Sequence, residues 1–354
     1  MTNKSTKIIK VDAQNPDNSK IKQAAEIVKS GGVVAFPTET VYGLAALTTD
    51  PIALEKLRYI KQRQEEKKFS LCVHSVEQVE GFIENISPFV YKLIEAFWPG
   101  PLTLVLKSEQ GEMIGFRMPD HPVAQMFLKE VNAAVFAPSA NFSGDNPPST
   151  ADQVLAYFDG KIEAVIDAGP TELGIASTVV QIDDSGYKIL RLGAISEQMI
   201  AQIYKRINIL FVCTGNSCRS AMAEGLMKNI VKGNDWFDIS SAGVAAFGGM
   251  PASHDAIAVM KKYGVDITGH RARRLTNQMV KVADYILVME NAHREFMFDR
   301  YWRVKKRIFL LKEFSKDKSG KLAIQDPIGR NINFYEDVAK IIKQSIEGLV
   351  DRLK

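Results

Sequence analysis

The sequence has little cysteine, no long apolar run and no internal repeat. Its three cysteines, Cys72, Cys213 and Cys218, are too few for a disulfide framework, and none of the five histidines stands at ligand spacing from them, which disfavours a structural zinc site. No apolar run approaches the roughly 18 residues that cross a bilayer, and the first residues contain no apolar signal-peptide segment. We therefore expect a cytoplasmic protein that does not act at a membrane and that holds no metal by its own residues alone.

The residues that are present have the composition of a globular chain. Hydrophobic residues make up 46% and charged residues 24% of the 354 positions, which excludes disordered and collagen-like proteins. The whole chain contains 45 Lys and Arg and 41 Asp and Glu. Residues 1–206 contain 21 of the basic and 25 of the acidic residues, so residues 207–354 contain the other 24 basic and 16 acidic residues. The basic second half favours an anionic partner, either a phosphate ester or a nucleic acid, although a solvated basic surface fits the charge as well.

The order of apolar runs and amphipathic stretches predicts two α/β domains, residues 1–206 and 207–354. In the first half, the predicted strands are 33–36, 102–106, 134–137, 164–167 and 178–182, and the predicted helices include 21–29 and 51–62. An amphipathic helix near 195–206 ends directly before a new apolar strand, which places the boundary at residue 206. In the second half, the predicted strands are 207–212, 237–240, 285–289 and 307–311, and the predicted helices are 252–263, 334–353 and one from about residue 220. That alternation favours a small doubly wound parallel sheet.

A cysteine and an arginine enclose a short loop between the first strand and the first helix of the second half. Backbone N–H groups of such a loop converge on an oxyanion, and Gly215 lets the backbone come close to it. The spacing brings the Cys213 sulfur beneath a phosphorus atom while Arg219 binds two of its oxygens. Arg219, the helix dipole and the Ser220 hydroxyl stabilise a thiolate, so we expect Cys213 to be a nucleophile at neutral pH. Asp326 is a candidate general acid, although an aspartate before a proline is as often a turn residue.

Residues 207–354 resemble the low-molecular-weight protein-tyrosine-phosphatase family over their whole length. The matching motifs are Cys213–Ser220, Ser241–Gly243, Gly264–Asp266, His270–Arg273, Asp284–Met289 and Asp326–Pro327. The resemblance implies that Cys213 attacks the phosphorus to form a cysteinyl-phosphate, and that Asp326 protonates the leaving group and then assists water, without a cofactor. It further implies a phosphate loop in which Asn216 orders the backbone and Cys218 can trap Cys213 as a reversible disulfide; the members of this loop are Thr214, Gly215, Asn216, Ser217 and Cys218. An arsenate-reductase relay needs two further cysteines after Cys218, and the sequence has none.

Two positions in this half bear on which phosphorylated protein is the substrate. Phosphotyrosine-specific members of the family usually have a bulky aliphatic residue where Ser217 stands, and aromatic residues where Ile328 and Gly329 follow the Asp-Pro pair. A small hydroxyl residue in the loop resembles the protein-arginine-phosphatase branch. The guanidinium N–H groups of a phosphoarginine would be left unpaired against an aliphatic residue, whereas Ser217 offers them a polar wall. We therefore expect phosphoarginine as the substrate ahead of phosphotyrosine and keep both open.

The first half has no Walker phosphate loop, so any nucleotide there must be held by other polar groups. Hydroxyl, amide and cationic residues that interrupt its apolar strands are the candidates, because cations neutralise a polyphosphate and hydroxyls orient it. These residues are Thr38, Thr40, Lys61, Arg63, Arg117, Ser139, Asn141, Ser177 and Arg191. Each of them alone is more often a surface or turn residue, and the residues alone name no reaction.

Together these residues resemble the YrdC-type threonylcarbamoyl-AMP synthase family, across about residues 8–200. The matching motifs are Gly31–Leu44, Trp98–Thr103, Ala137–Asn141 and Ser177–Val180. The resemblance implies a twisted, mixed α/β sheet domain that condenses L-threonine, bicarbonate and ATP, with Mg²⁺, into threonylcarbamoyl-AMP and pyrophosphate for the tRNA-modification machinery. It assigns ATP binding to Lys61, Arg63, Ser139, Asn141 and Arg191, and threonine binding to Thr38, Thr40, His74, Arg117 and Ser177.

One alternative stays open for the first half. Lys68 stands where the family usually has proline, and Leu192 stands where Arg-Pro-Gly is common. The half therefore also resembles the YciO-like branch, in which the same fold serves another reaction. On that interpretation the protein is a nucleotide- or RNA-binding module fused to a phosphatase.

Overall fold

The computed structural model describes residues 5–62, 68–317 and 320–353. The chain divides into two compact units. The first contains the chain up to Ile86 and Val90–Ala201, and the second contains Ser87–Phe89 and the chain from Gln202 onward. Among the described residues, no helix combines the length and the apolar character that a membrane crossing requires.

The elements of the first half alternate between short strands and amphipathic helices. The strands are β1 (Lys7–Lys10), β2 (Val34–Phe36), β3 (Gly43–Leu47), β4 (Leu71–Cys72), β5 (Leu102–Lys107), β6 (Met113–Arg117), β7 (Val135–Phe136), β8 (Ala164–Asp167), β9 (Thr178–Asp183) and β10 (Gly186–Arg191). The helices are α1 (Asn18–Lys29), α2 (Pro51–Lys61), α3 (Val76–Glu80), α4 (Pro88–Phe97), α5 (Pro122–Val131), α6 (Ala151–Phe158) and α7 (Glu197–Lys205). Side chains cap several of these helices: the Asp50 carboxylate, for example, accepts from the first backbone N–H groups of α2, where Pro51 starts the helix.

Within the described residues, these strands form one mixed sheet in the order β1-β8-β2-β3-β7-β4-β6-β5-β9-β10. Successive residues of β2 point to opposite faces, as the pleat of a strand requires. Val34 and Phe36 pack in a core cluster with residues of α1 and α5, whereas Ala35 packs in a second cluster with residues of α2 and α6. The sheet is therefore covered by helices on both faces, and the predicted mixed α/β fold of this half is confirmed.

The second unit is built on a smaller sheet. Its strands are β11 (Ile207–Cys213), β12 (Phe237–Gly243), β13 (Tyr285–Val288) and β14 (Ile308–Leu310). Its α-helices are α8 (Arg219–Ile230), α9 (His254–Lys262), α10 (Asn277–Val282), α11 (Asn291–Arg300) and α12 (Ile332–Leu353), with 3-10 turns at Trp302–Arg307 and Leu311–Phe314.

All described pairings in this sheet are parallel, in the order β12-β11-β13-β14. Ile209 and Phe211 pack with residues of α8, α9 and α12, whereas Leu210 and Val212 pack on the opposite face with residues of α10 and α11. This arrangement confirms the predicted doubly wound parallel sheet. The chain leaves β11 toward β12 on one side and reaches β13 on the other, so the carboxyl ends of β11 and β13 form the crevice where such sheets bind ligands.

Candidate active sites

The cysteine loop lies at the crevice of the second unit. Cys213 is the last residue of β11 and Arg219 the first of α8, so residues 214–218 lie between a strand end and a helix N-terminus. The Cys213 Sγ lies 2.9 Å from the Ser220 Oγ and accepts a hydrogen bond from the backbone N–H of Asn216 at 3.3 Å. Cys213 is only 3% exposed. A hydroxyl and a backbone N–H aimed at one sulfur stabilise the thiolate, which is the form that attacks phosphorus.

Asn216 holds the loop in shape. Its φ of 55° is left-handed, a conformation that Asn adopts more readily than other residues with a side chain. Its Nδ2 donates to Ser220 Oγ at 2.9 Å and to Ser241 Oγ at 2.7 Å, and its Oδ1 accepts from the Arg273 backbone N–H at 2.8 Å. His270 Nε2 lies 2.7 Å from the Asn216 carbonyl oxygen. This fully buried side chain therefore ties the phosphate loop to two neighbouring segments of the chain.

The Arg219 guanidinium is buried and donates three hydrogen bonds. Its Nη1 donates to Glu290 Oε1 at 2.8 Å and to the Ile324 carbonyl oxygen at 3.1 Å, and its Nη2 donates to Asp326 Oδ2 at 2.6 Å. Glu290 follows β13, so the crevice brings the arginine and both carboxylates together although Asp326 is more than a hundred residues from Arg219 in the chain. The predicted general acid thus lies beside the predicted phosphate-binding cation.

Cys218 lies in a separate polar niche. Its Sγ donates to Ser253 Oγ at 3.2 Å and lies 3.6 Å from the Tyr335 hydroxyl. Burial raises the pKa of Tyr335 to about 12, so this hydroxyl stays protonated at neutral pH. Cys218 is 4% exposed, and all three cysteines of the chain are free thiols. The reversible disulfide between Cys213 and Cys218 stays a prediction.

Sequence reasoning missed one residue at this site and one exposed aromatic residue that lies near a loop contact in the chain. His293, on α11, is 3% exposed; its Nε2 lies 2.9 Å from Thr214 Oγ1 and its Nδ1 lies 3.6 Å from Glu290 Oε1. Burial, followed by the positive charge of Arg219, lowers the pKa of His293. Phe247 is 83% exposed and follows Ala245, whose backbone N–H donates to the Thr214 carbonyl oxygen. The signal for Phe247 was its position two residues after Ala245, which contacts the loop. Nothing in the sequence near His293 indicated its contact with Thr214.

A cavity of about 410 Å³ lies in the first unit, lined by residues of β2, β3, β4, β5, β6, β9 and β10 and of the loops that follow β2 and β7. It is large enough for a drug-sized ligand. Seven of the predicted binding residues line it: Thr38, Lys61, Arg117, Ser139, Asn141, Ser177 and Arg191. The cavity therefore collects side chains from positions that are far apart in the sequence.

Lys61 and Asn141 form the wall for which ATP contacts are predicted. Lys61 is 3% exposed, and its Nζ donates to the carbonyl oxygens of Ser139 and Asn141. The Asn141 Nδ2 donates to the carbonyl oxygens of Phe142 and Asp145, while its buried Oδ1 has no hydrogen-bond partner among the described residues. A lysine held against two carbonyl groups is oriented in advance, which lowers the entropic cost of binding an anion.

A second wall carries two arginines, one of which pairs with Glu39, a buried carboxylate outside the lining that sequence reasoning missed. Arg117 Nη2 donates to Glu39 Oε1 at 2.8 Å, and both residues are buried. The Arg117 Nε is buried without a partner among the described residues. Arg191 donates to the Ser177 carbonyl oxygen through Nε at 3.1 Å and Nη2 at 2.9 Å, and Ser177 Oγ lies 2.8 Å from Thr103 Oγ1. An unsatisfied N–H on a buried cation marks a position where an anionic ligand would be stabilised.

The remaining predicted residues of this half do not line the cavity or lie outside the described residues. Thr40 is fully buried behind Thr38, and the two hydroxyl oxygens lie 2.9 Å apart. His74 is not in the lining, and its backbone N–H donates to Gln78 Oε1. Arg63 lies outside the described residues. Among residues 5–62, 68–317 and 320–353, no cluster of three or more His, Cys, Asp or Glu side chains could hold a metal ion.

Comparison with known proteins defines the class of each half. Residues 26–193 match the Sua5/YciO/YrdC family model, which carries the description telomere recombination, and residues 208–354 match the model of the low molecular weight phosphotyrosine protein phosphatases. The first half belongs to its family, because a putative threonylcarbamoyl-AMP synthase of Mycobacterium tuberculosis is 35% identical over 192 residues, which are 88% of that protein. The second half matches the phosphatase family model over nearly its whole length. Both resemblances predicted from the sequence are thereby confirmed.

Individual relatives make the likeness more specific. A threonylcarbamoyl-AMP synthase of Pyrococcus abyssi is 37% identical over 216 residues, which are 58% of this chain and 64% of that protein, so the chain spans less than two thirds of it. The crystal structure of P. abyssi Sua5 complexed with L-threonine is 25% identical with a TM-score of 0.54, and the match covers 80% of this chain and 100% of that one. The YwlE arginine phosphatase from Geobacillus stearothermophilus is 34% identical with a TM-score of 0.39, and the match covers 42% of this chain and 92% of that one.

Proposed function

We propose that the second unit is a protein phosphatase that works through a cysteinyl-phosphate. The observation that carries the proposal is the Cys213 Sγ with two hydrogen-bond donors in a loop whose arginine, Arg219, is buried beside Asp326. The sulfur attacks phosphorus, the bond to the leaving atom breaks, and the Asp326 carboxyl gives that atom its proton. Asp326 then takes a proton from water, which attacks the phosphorus, releases phosphate and restores the cysteine.

Phosphoarginine proteins are the substrates that Ser217 favours. The Ser217 hydroxyl in the loop wall can accept a hydrogen bond from a guanidinium N–H of the substrate. An aliphatic residue at this position would leave that N–H unpaired, at a cost of about 1–3 kcal/mol. Phosphotyrosine is the second candidate, because the exposed Phe247 lies two residues after Ala245, which bonds to the loop, and would pack on a tyrosine ring that reaches it.

Side-by-side hydrolysis of phosphoarginine and phosphotyrosine peptides tests both statements. Cys213→Ser removes the nucleophile, so turnover of either peptide at the wild-type rate would contradict the mechanism. Ser217→Ile should shift the preference toward phosphotyrosine, whereas Ser217→Thr, which keeps the hydroxyl, should not. Phe247→Ala should lower phosphotyrosine turnover only if the ring packs on the substrate.

We propose that the first unit makes threonylcarbamoyl-AMP from L-threonine, bicarbonate and ATP. The observation that carries this proposal is the convergence of Lys61, Arg117 and Arg191 on one cavity. The threonine amine and bicarbonate give a carbamate and water; a carbamate oxygen then attacks the α-phosphorus, and pyrophosphate leaves. Fixed cations stabilise the charge that develops on the departing pyrophosphate.

Threonine and ATP would occupy different walls of the cavity. Arg117 and Ser177 suit the threonine carboxylate and hydroxyl, and Lys61 with Ser139 suits the nucleotide. Mg²⁺ would enter with the nucleotide's phosphates, because ions of this type are held by one or two carboxylates plus substrate phosphates, and Asp145 supplies a carboxylate to the lining. The product would pass to the tRNA-modification machinery.

Release of pyrophosphate in the presence of ATP, threonine and bicarbonate is the test. Arg191→Ala should lower this release about a hundredfold if the guanidinium offsets phosphate charge. Lys188→Ala removes an exposed cation from the same strand, β10, and should leave the rate unchanged. If the wild-type chain releases no pyrophosphate and forms no adenylate by mass spectrometry, a nucleotide- or RNA-binding module becomes the better description of this half.

A further inference from the structure

A short basic segment runs from the end of α11 to β14 in the second unit. Residues 300–306, the basic segment, contain four cationic residues and no acidic residue. These residues are Arg300, Arg303, Lys305 and Lys306, and all four are exposed. Trp302, in the middle of the segment, is 56% exposed. The segment therefore presents an aromatic surface among four positive charges.

The cations of the basic segment are not neutralised. Within the part of the chain that the structure describes, none of the four forms a salt bridge with a carboxylate. Three of them instead lie over aromatic rings: Arg303 Cζ is 5.1 Å from the Trp302 ring centroid, Lys305 Nζ is 5.4 Å from that of Phe298, and Arg300 Cζ is 5.9 Å from that of Tyr301. Cation–π contacts hold the charged groups in place without cancelling their charge.

The backbone of the segment is fixed to the core. Tyr301 and Val304 are partly buried against the cluster that contains Leu210 and Met297. The Tyr301 N–H donates to the Met297 carbonyl oxygen at 2.8 Å, and the Val304 N–H donates to the Tyr301 carbonyl oxygen at 3.0 Å. The exposed cations and Trp302 are therefore presented from a rigid turn, so that binding there orders little chain.

The segment lies at the end of the sheet opposite to the phosphate loop. It precedes the amino end of β14, whereas the loop follows the carboxyl end of β11, and the strands of this sheet are parallel. The seven residues of β11 alone span about 20 Å. A ligand on the basic segment would leave the phosphatase site open.

We propose that the basic segment binds single-stranded RNA. Its cations would contact successive phosphates, and a base would stack on the open surface of the Trp302 indole, which is the combination that single-stranded nucleic acids select. An acidic protein would use the cations but would gain nothing specific from a flat, exposed indole. The surplus of positive charge in residues 207–354 would assist the approach of a polyanion.

Fluorescence anisotropy of the full-length protein with a labelled RNA oligonucleotide of about 20 nucleotides tests the proposal. The triple variant Arg303→Glu, Lys305→Glu, Lys306→Glu should bind at least about tenfold more weakly, and the slope of log affinity against log salt should shrink by about two. The matched control reverses the same number of charges at exposed lysines elsewhere in the unit, Lys232, Lys261 and Lys340. An equal loss in the control would overturn the proposal, because the binding would then follow net charge alone.

Trp302→Ala separates RNA from other polyanions. We expect about fivefold weaker RNA binding or more, since stacking on an aromatic ring contributes that much per base. Trp236→Ala is the control, because Trp236 is 58% exposed but is flanked in sequence by Asp235 and Asp238. The proposal would be wrong if Trp302→Ala bound RNA as tightly as the wild type does and if polyglutamate bound as tightly as RNA. The partner would then be an acidic protein surface. Hydrolysis of a small aryl phosphate by each variant reports that the unit is folded.

Discussion

At the scale of single residues, Asn216 shows how one side chain can build a catalytic loop. It donates to two serine hydroxyls and accepts from the backbone of Arg273, while its own N–H points at the Cys213 sulfur. Its left-handed φ also places the loop backbone where a ligand can approach. Position 216 therefore couples the fold of the loop to the reactivity of the cysteine.

We expect Asn216→Ala to lower both stability and turnover. The change leaves the Arg273 N–H unpaired and puts alanine in a left-handed conformation, at a cost of about 2–4 kcal/mol in the free energy of unfolding. Phosphatase turnover should fall roughly ten- to a hundredfold, because the N–H donor to sulfur moves. Denaturant unfolding and steady-state kinetics check this, with Asn229→Ala, at an exposed position of α8, as a control that should change neither.

The buried His293 predicts a pH dependence of stability. Its pKa is lowered in the folded protein, so below the ordinary value of about 6.5 the unfolded chain binds a proton that the folded chain does not. Stability should therefore fall between about pH 7 and pH 5, by up to about 1.4 kcal/mol for each pH unit from this group. The loss should be smaller in His293→Gln. The His254 side chain is 96% exposed, so His254→Gln should show the same dependence of stability on pH as the wild type. If all three proteins showed the same dependence, His293 would not be its cause.

Residue roles that depend on local spacing could be read from the sequence, and those that depend on distant contacts could not. The loop from Cys213 to Ser220 is contiguous, so its place between a strand and a helix could be predicted from order and spacing, whereas the catalytic roles of its residues stay predictions. The contacts of His293 with Thr214 and of Glu39 with Arg117 join residues about 80 positions apart, and only the sheet topology brings them together. Thr40 and His74 sit in matching motifs, yet their side chains lie off the cavity.

At the scale of elements, the predicted strands and helices agree with the structure where the apolar pattern is bounded by polar residues. The predicted helix 252–263 is α9, His254–Lys262, and the predicted strand 102–106 is β5, Leu102–Lys107. Several elements were missed, and for two of them the structure gives the physical reason. β3, Gly43–Leu47, is a run of small apolar residues buried on both sides, and α11, Asn291–Arg300, has a weakly amphipathic pattern because His293 and Met297 are its buried residues.

Helix α12 gives a prediction at the element scale. Replacing glycine by alanine inside a helix normally stabilises it by about 1 kcal/mol. At Gly348 a Cβ would lie 1.9 Å from the Phe314 carbonyl oxygen, so the helix must move off that segment. We expect Gly348→Ala to destabilise the protein by about 2 kcal/mol or more, measured by denaturant unfolding.

The control for Gly348→Ala is another alanine in the same helix. Gln344 is exposed, and Gln344→Ala should change the free energy of unfolding by no more than about 0.5 kcal/mol. If Gly348→Ala were as stable as that control, the close approach of α12 to Phe314 would be wrong.

At the scale of the whole molecule, each site is built from residues of one compact unit. We therefore expect the two activities to be separable by mutation in the intact chain. Cys213→Ser should abolish phosphatase turnover and leave pyrophosphate release unchanged, whereas Arg191→Ala should do the reverse. Paired assays of the same preparation check this, and loss of both activities in either variant would show that the sites depend on each other.

The triple pairing of Arg219 has a consequence for what can inhibit the second unit. An incoming anion that binds the same Nη2 hydrogen takes the place of the Asp326 carboxylate, so entry at that atom is an exchange of one negative group for another. Chloride carries the same single negative charge as the carboxylate that it replaces, so the attraction to Arg219 hardly changes. A doubly charged oxyanion brings one more negative charge to the guanidinium and is therefore bound more strongly. We expect the resting enzyme to ignore ordinary salt anions and to admit phosphate, vanadate and its own substrates.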